Sequence, residues 1–414
     1  MLKKMNKDLI IKINSAVEKY KKEIIKFALN LIRQLSENPP GDERNVAELI
    51  IKKSLEWNLP NPKILYKKIK HPNLIFNVRG KSKGKILILN GHIDTKPIGD
   101  INEWKIDPRE PKIYNDRIYG LGASDMKGGV VGLIAAIMVL KYCNIPINGQ
   151  INLILTSDEE KASEYGSKFL VEKGVEGDAV LVAEPSGLKK DFDSISIASK
   201  GTILGKVNVY GTQMHSSLSG KIKCINASIK MAYILLEFAE NLKNHLYFKP
   251  HYLYADGPII NPGVLLEGGI CYGVIPGFAS FGFDIRTIPG MSSKVVKRDI
   301  EMFLKKLKER DKDLNYELIF EKWSEPFEIS ENHEIVNACT EATKIIIGTE
   351  PEKVGFMATT DGNLFANILN IPTIASFGPG LIELAHKPNE YISTKSILDA
   401  SKIFALSIIN YLNS

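Results

Sequence analysis

The residues best equipped for chemistry stand at the ends of apolar runs. In KILILNGHIDT, residues 85–95, an aliphatic stretch stops at Gly91 and is followed by His92 and Asp94. Two positions apart in extended backbone, these side chains share a face. Imidazole is a good zinc ligand, and a carboxylate beside it can take the other ring proton, which fixes the tautomer and raises ligand basicity. Taken alone, H-x-D fits a metal site or an ordinary polar turn after a strand.

Further carboxylates follow the same placement. In YGLGASDMKGG, Gly120, Gly122, Gly128 and Gly129 surround Asp125. Glycine lets backbones come close, so a carboxylate there can be held deep in a crowded site, and its two oxygens can each take one cation. The G-x-G in this stretch also invites comparison with a dinucleotide loop. Such a loop follows a buried strand directly and has no aspartate where the phosphate must sit. In TSDEE, Asp158, Glu159 and Glu160 repel one another unless something positive lies among them; a solvated acidic turn is the plain alternative. Adjacent side chains point differently, so Glu160 can bind a metal while Glu159 reaches a water. AEPSG supplies Glu184, with a proline after it that biases the turn away from helix. GTQMHSS places His215 on a turn, and AHKPNEY carries His386.

Elements that position these groups follow from periodicity. The runs at 85–90, at 151–156 and before Glu184 have the continuous apolar character of strands buried on both faces, and an open α/β sheet places ligands at the carboxyl ends of its strands. Helical spacing predicts helices over 8–35, stopped by Asn38, Pro39, Pro40 and Gly41, then over 42–57, from about 127, and over 162–173. Strand pieces are expected at 64–69 and 74–78, and a long loop over 95–118. From 194 the pattern changes: one alternating strand over 194–210, a helix over 225–241, paired strands within 264–286, a helix over 293–310 and a strand at 316–320. Helix over 335–347, strand over 371–377 and helix over 394–412 close the chain. The expected organisation is one α/β catalytic domain from 1–193 and 326–414, with an α+β domain inserted at 194–325.

A length of 414 residues favours two domains. The net charge of +6 is spread along the chain and is not interleaved with aromatics, which argues against nucleic acid. Cys143, Cys224, Cys271 and Cys339 are far apart, the pattern of a reducing compartment with no disulfide framework and no thiolate zinc site. The longest apolar run, GVVGLIAAIMVL, is shorter than a bilayer-spanning helix needs, and the amino terminus lacks a secretory pattern. A soluble cytoplasmic protein with no membrane partner is expected.

In combination, GHID, YGLGASDMKGG, TSDEE, AEPS, DIRTIPG and AHKPNE resemble the M20 family of metallopeptidases and aminoacylases, which includes acetylornithine deacetylase and succinyl-diaminopimelate desuccinylase. The resemblance implies a zinc-exopeptidase-like mixed sheet flanked by helices, with an inserted lid that dimerises. It implies two divalent ions, zinc above all and cobalt as the substitute. His92 and Glu184 would hold one, Glu160 and His386 the other, with Asp125 bridging them. Asp94 would orient His92, and Glu159 would be the general base. A non-proline cis peptide is implied after Asp125. His215 matches the lid histidine that stabilises the oxyanion, reaching across from the other subunit in dimeric relatives. Arg286 matches the arginine that grips a substrate carboxylate, and Thr360 an additional contact. Gly273 stands where relatives commonly carry asparagine. The implied reaction is hydrolysis of an N-acetyl- or N-succinyl-diamino acid, with a dipeptidase or carboxypeptidase as the alternative. A metal-free binding protein would have lost ligands or the base, and none is lost. A two-metal phosphoesterase would want a phosphate loop, and none is seen.

Overall fold

Strand Ile86–His92 occupies the interior of a six-stranded mixed sheet, and its position explains why its sequence is so apolar. The computed structural model of the chain describes residues 7–414; the first six residues of the expected 1–193 segment lie outside it. In sheet order the strands are Lys63–Tyr66, Pro72–Arg79, Gln150–Thr156, Ile86–His92, Ala179–Val182 and Thr373–Ile374. The first two pairings are antiparallel and the remaining three parallel. Leu87, Ile88 and Leu89, like Leu153, Ile154 and Leu155 beside them, are fully buried. Each such side chain contributes roughly 1.5–3 kcal/mol relative to exposure.

Register brings the chemistry to one edge. His92 pairs with Thr156, and Asn90 with Val182. The residues just beyond these pairs, Asp94, Asp158 to Glu160 and Glu184, therefore leave the sheet at neighbouring carboxyl ends.

Helix Gly128–Tyr142 is buried on every side from Gly128 to Leu140, which accounts for its lack of a polar face. With the turn before it, the helix has the length and composition of a membrane span, yet that window is wholly buried inside the fold. It packs on helix Thr394–Leu412, where a Cβ on Gly132 would lie 2.9 Å from the Ala400 Cβ. Helices Lys7–Arg33 and Glu334–Ile347 complete this layer.

The chain divides into two units. The first comprises residues 1–197, 329–356 and 360–414; the second comprises 198–328 with 357–359. In the second, an antiparallel sheet runs in the order Ile259–Gly268, Phe278–Thr287, Gly201–Tyr210 and Asn315–Ser324. Helices Ala227–Asn241 and Ser293–Arg310 supply Phe238 and Phe303 to its core, packed edge-on at 5.7 Å.

Several expected elements differ. The helix expected over 162–173 is confined to Ser167–Glu172. Asp158 explains this: its carboxylate accepts from the Tyr165 N–H, and its carbonyl from Ala162 and Ser163, which winds the chain into a turn first. Gly166 packs so tightly on this turn that a Cβ there would lie 1.8 Å from the Ser157 carbonyl oxygen. The strand expected over 194–210 is two, Ser194–Ser199 and Gly201–Tyr210, and the first is buried throughout. The loop expected over 95–118 contains the short strands Lys112–Tyr114 and Arg117–Tyr119, paired as a hairpin.

Candidate metal centre

His92, at the end of its strand, is almost fully buried. Its Nε2 lies 3.0 Å from Asp125 Oδ1 and 3.4 Å from Glu184 Oε1. The other oxygen of Asp125 lies 3.2 Å from His386 Nε2, which is also 3.2 Å from Glu160 Oε2. Asp125 thus stands between two histidines, each with a glutamate of its own. Glu159 shares the space: one of its carboxylate oxygens falls within a group that includes His92 and Glu184, with ligand atoms all within 4.8 Å. The six residues His92, Asp125, Glu159, Glu160, Glu184 and His386 are brought together from five separate stretches of chain.

The tautomer of His92 tells what belongs among them. Its Nδ1 lies 3.0 Å from the main-chain carbonyl of Asp94, an acceptor only, so Nδ1 carries the proton. In the neutral ring Nε2 then points a lone pair at two carboxylates. That arrangement is repulsive unless a positive charge lies in the gap. Burial and the Asp125 charge push the Glu184 carboxyl up to about 8. Burial, with Asp361, Glu184 and Glu160 around it, raises Glu159 well above the usual range. Hydrogen bonds to Asp125 and Glu160 lift His386 to about 10. These are carboxylates and imidazoles gathered around too little positive charge. Imidazole nitrogens mixed with carboxylate oxygens are the donors that zinc and similar divalent ions accept, so the residues present fit a metal centre.

Asp94 meets His92 through its main chain. Its carboxylate Oδ1 is 3.6 Å from His92 Nδ1, while the orienting contact comes from its carbonyl. The carboxylate is spent on the next strand's turn, accepting from the N–H of Glu159 at 3.2 Å and of Glu160 at 3.1 Å.

Other buried groups went unnoticed in the sequence. Glu390 accepts from the main-chain N–H groups of Gly122, Ser124 and Asp125 at 2.9, 2.7 and 2.9 Å, and so grips the turn that carries Asp125. The Asp125–Met126 peptide in that turn is cis. Asp361 accepts from Thr156 Oγ1 at 2.6 Å and Ser163 Oγ at 2.8 Å. The partly exposed Lys96 places its Nζ 3.2 Å from Glu160 Oε2. For Glu390 the available signal was a carboxylate four residues after His386. For Asp361 it was the polar ATTDGN between apolar segments.

His386 adopts the left-handed backbone region at φ 61° and leaves nearly half its side chain exposed, which makes its side of the cluster the open one. Thr360 is buried: its hydroxyl donates to the Ala375 carbonyl and accepts from the Gly362 N–H, so it is committed to the main chain. A cavity of about 440 Å³ lies elsewhere in this unit, lined by Arg79, Lys81, Ile147 and Ile151, and includes none of the clustered residues.

In the second unit, His215 is exposed on a two-residue strand paired with Val274–Ile275, and its Nδ1 accepts from the Ser217 N–H. Gly273, beside that pairing, has φ 85° and open space around it. Glycine enters this region most readily. Arg286 donates to Thr202 Oγ1 at 2.9 Å and to Asp284 Oδ2 at 2.8 Å.

A model of peptidase family M20/M25/M40 matches residues 88–410. An uncharacterized metallohydrolase of Methanocaldococcus jannaschii is 29% identical over 92% of this chain and 98% of its own length. A succinyl-diaminopimelate desuccinylase of Nitrosospira multiformis is 28% identical over 80% of this chain and 84% of its own. Among solved structures, an M20 family metallo-carboxypeptidase of Sulfolobus solfataricus superposes with a TM-score of 0.80 at 23% identity, covering 95% of this chain and all of that one.

Proposed function

From the premise that the chain belongs to peptidase family M20/M25/M40 and is a metal-dependent amide hydrolase, we propose that it uses two zinc ions to cleave the amide bond of an N-acyl amino acid, of the N-succinyl- or N-acetyl-diamino acid type. The observation that carries the metal pair is the division of Asp125 between His92 and His386. His92 and Glu184 would hold one ion and Glu160 and His386 the other, with Asp125 offering an oxygen towards each. When bound, such ions would polarise the amide carbonyl and bring the pKa of a water down towards 7.

The chain's own groups do the rest. Glu159 takes a proton from the attacking water at its carboxylate as the water oxygen bonds to the carbonyl carbon. It then returns that proton to the leaving nitrogen as the carbon–nitrogen bond breaks. His215 donates to the oxyanion, a contribution of roughly 3 kcal/mol for a well-placed donor. Arg286 binds the substrate's α-carboxylate, for which a guanidinium fork is suited, and Thr360 adds a substrate contact.

Exposed Leu265 and Leu266 on the edge strand Ile259–Gly268 support a homodimer formed through the second unit, since an open apolar strand edge invites pairing. Four unpaired cysteines support a cytoplasmic setting.

The desuccinylase relatives favour the N-acyl substrate, and the shared fold of a metallo-carboxypeptidase keeps a peptide substrate as the second reading. Zinc-loaded protein assayed on N-succinyl-diaminopimelate, N-acetylornithine and dipeptides with free and blocked carboxylates separates them. Turnover confined to the N-acyl substrates is expected; turnover confined to the dipeptides selects the second reading.

A further inference from the structure

The segment Asn38-Pro39-Pro40-Gly41 follows the first helix, which ends at Arg33, and nothing in the proposed chemistry uses it. It runs beside the exit of strand Ile86–His92: Asn38 donates its main-chain N–H to the Thr95 carbonyl at 2.8 Å, and Thr95 donates to Ser36 at 2.9 Å. Ser36 Oγ donates to the Ile93 carbonyl at 2.8 Å. The segment is thereby fixed to the strand that carries His92 and Asp94.

From that fixed position the Asn38 side chain reaches two carboxylates. Its Nδ2 donates to Asp94 Oδ2 at 3.0 Å and to Asp158 Oδ1 at 2.9 Å. Asn38, Asp94 and Asp158 are all buried. The amide's orientation is fixed by chemistry, because carboxylates only accept and a flipped amide would set its oxygen against both. Asn38 Oδ1 has no hydrogen-bond partner and faces Gly41, where a Cβ would lie 3.0 Å from it and 2.5 Å from His71 Cε1. With φ 80°, Gly41 could not be another residue without strain.

The two carboxylates bridged by Asn38 govern the turn of the base. Asp158 shapes it through Tyr165 and its own carbonyl, at φ 63°. Asp94 holds the N–H groups of Glu159 and Glu160. Without a donor between them, two buried like charges would separate, and the turn would separate with them.

We propose that Asn38 is a positioning residue: by giving one amide proton to Asp94 and the other to Asp158, it locks the Asp158-Glu159-Glu160 turn against the His92 strand. Glu159 and Glu160 are thereby held in register with the residues that face them. The consequence for turnover rests on the reading of Glu159 as base and Glu160 as ligand; the consequence for the turn does not.

Hydrogen exchange on the metal-free full chain tests the turn by itself. In Asn38→Ala, amides of residues 158–165 should exchange at least about tenfold faster, while strand Gln150–Thr156 keeps its protection. In the zinc-loaded protein, kcat should fall about 10–100-fold, the usual cost of losing a partner that orients a ligand, with KM within about threefold. Asn38→Ser keeps one donor and should fall between, and it supplies the same two readings where the alanine variant does not fold. Uniformly faster exchange across the whole chain, or unchanged protection of 158–165, overturns the proposal. A loosened turn with unchanged kcat leaves the lock standing and removes Glu159 from the mechanism.

Discussion

The carboxyl group of Glu390 accepts a hydrogen bond from the main-chain N–H of Asp125 at 2.9 Å, so a buried side chain from late in the chain sets the direction of the aspartate between His92 and His386. Two more N–H groups, from Gly122 and Ser124, complete the grip. Glu390→Gln keeps one acceptor oxygen, but its amide nitrogen faces either the Gly122 N–H or the Ser124 and Asp125 N–H groups. The expected result is a loss of zinc affinity of about 10–100-fold, read by competition with a chelator, with the fold retained by circular dichroism. Unchanged affinity would show that the turn holds Asp125 unaided.

Gly129 makes a second demand on the same region. A Cβ on it would lie 2.2 Å from the Ala183 carbonyl oxygen, one residue before Glu184. The obstacle is backbone, which cannot swing aside. Gly129→Ala is expected to push that strand end outward, at a cost of about 1–3 kcal/mol for overpacking. Thermal unfolding should show a drop of several degrees, together with weaker zinc binding; Ala at 129 with both properties intact would contradict the packing argument.

Stability should depend on pH through Glu43. Its Oε2 lies 2.9 Å from His71 Nδ1, and burial pushes the Glu43 carboxyl up to about 8 while it lowers the imidazole. The folded pKa of Glu43 is above its unfolded value, so the folded chain binds more protons between about 4.5 and about 8. Its contribution is present in full below the lower value and is lost as pH rises through the upper one. Tm of the native chain should therefore fall more steeply than that of Glu43→Gln between pH 5 and 9. Parallel curves for the two would remove this group from the pH dependence.

Much of the site was legible because its signals are local. An aliphatic run ending in Gly-His-x-Asp, or in three acids, states both a buried strand and a group at its exit, and the sheet register delivers His92 beside Thr156. What escaped is set by distant pairing. Glu390 is 265 positions from Asp125, and Asn38 is 120 from Asp158; no periodicity reports such partners. Helix 162–173 was overextended because its apolar spacing is real, while the side chain that stops its first turns is Asp158, outside the pattern. Asp94 was correctly placed beside His92, yet its carbonyl took the contact expected of its carboxylate, a choice made by backbone geometry that residue type does not encode.

Whether His92, Asp125, Glu160, Glu184 and His386 hold a pair of divalent ions is a matter of stoichiometry. Calorimetric titration of zinc into chelator-stripped protein counts them directly. Two equivalents per native chain are predicted, with the second lost or severely weakened in Asp125→Ala, since each of its oxygens faces a different histidine. No uptake by the native chain, or two equivalents bound by Asp125→Ala at native affinity, would contradict the account.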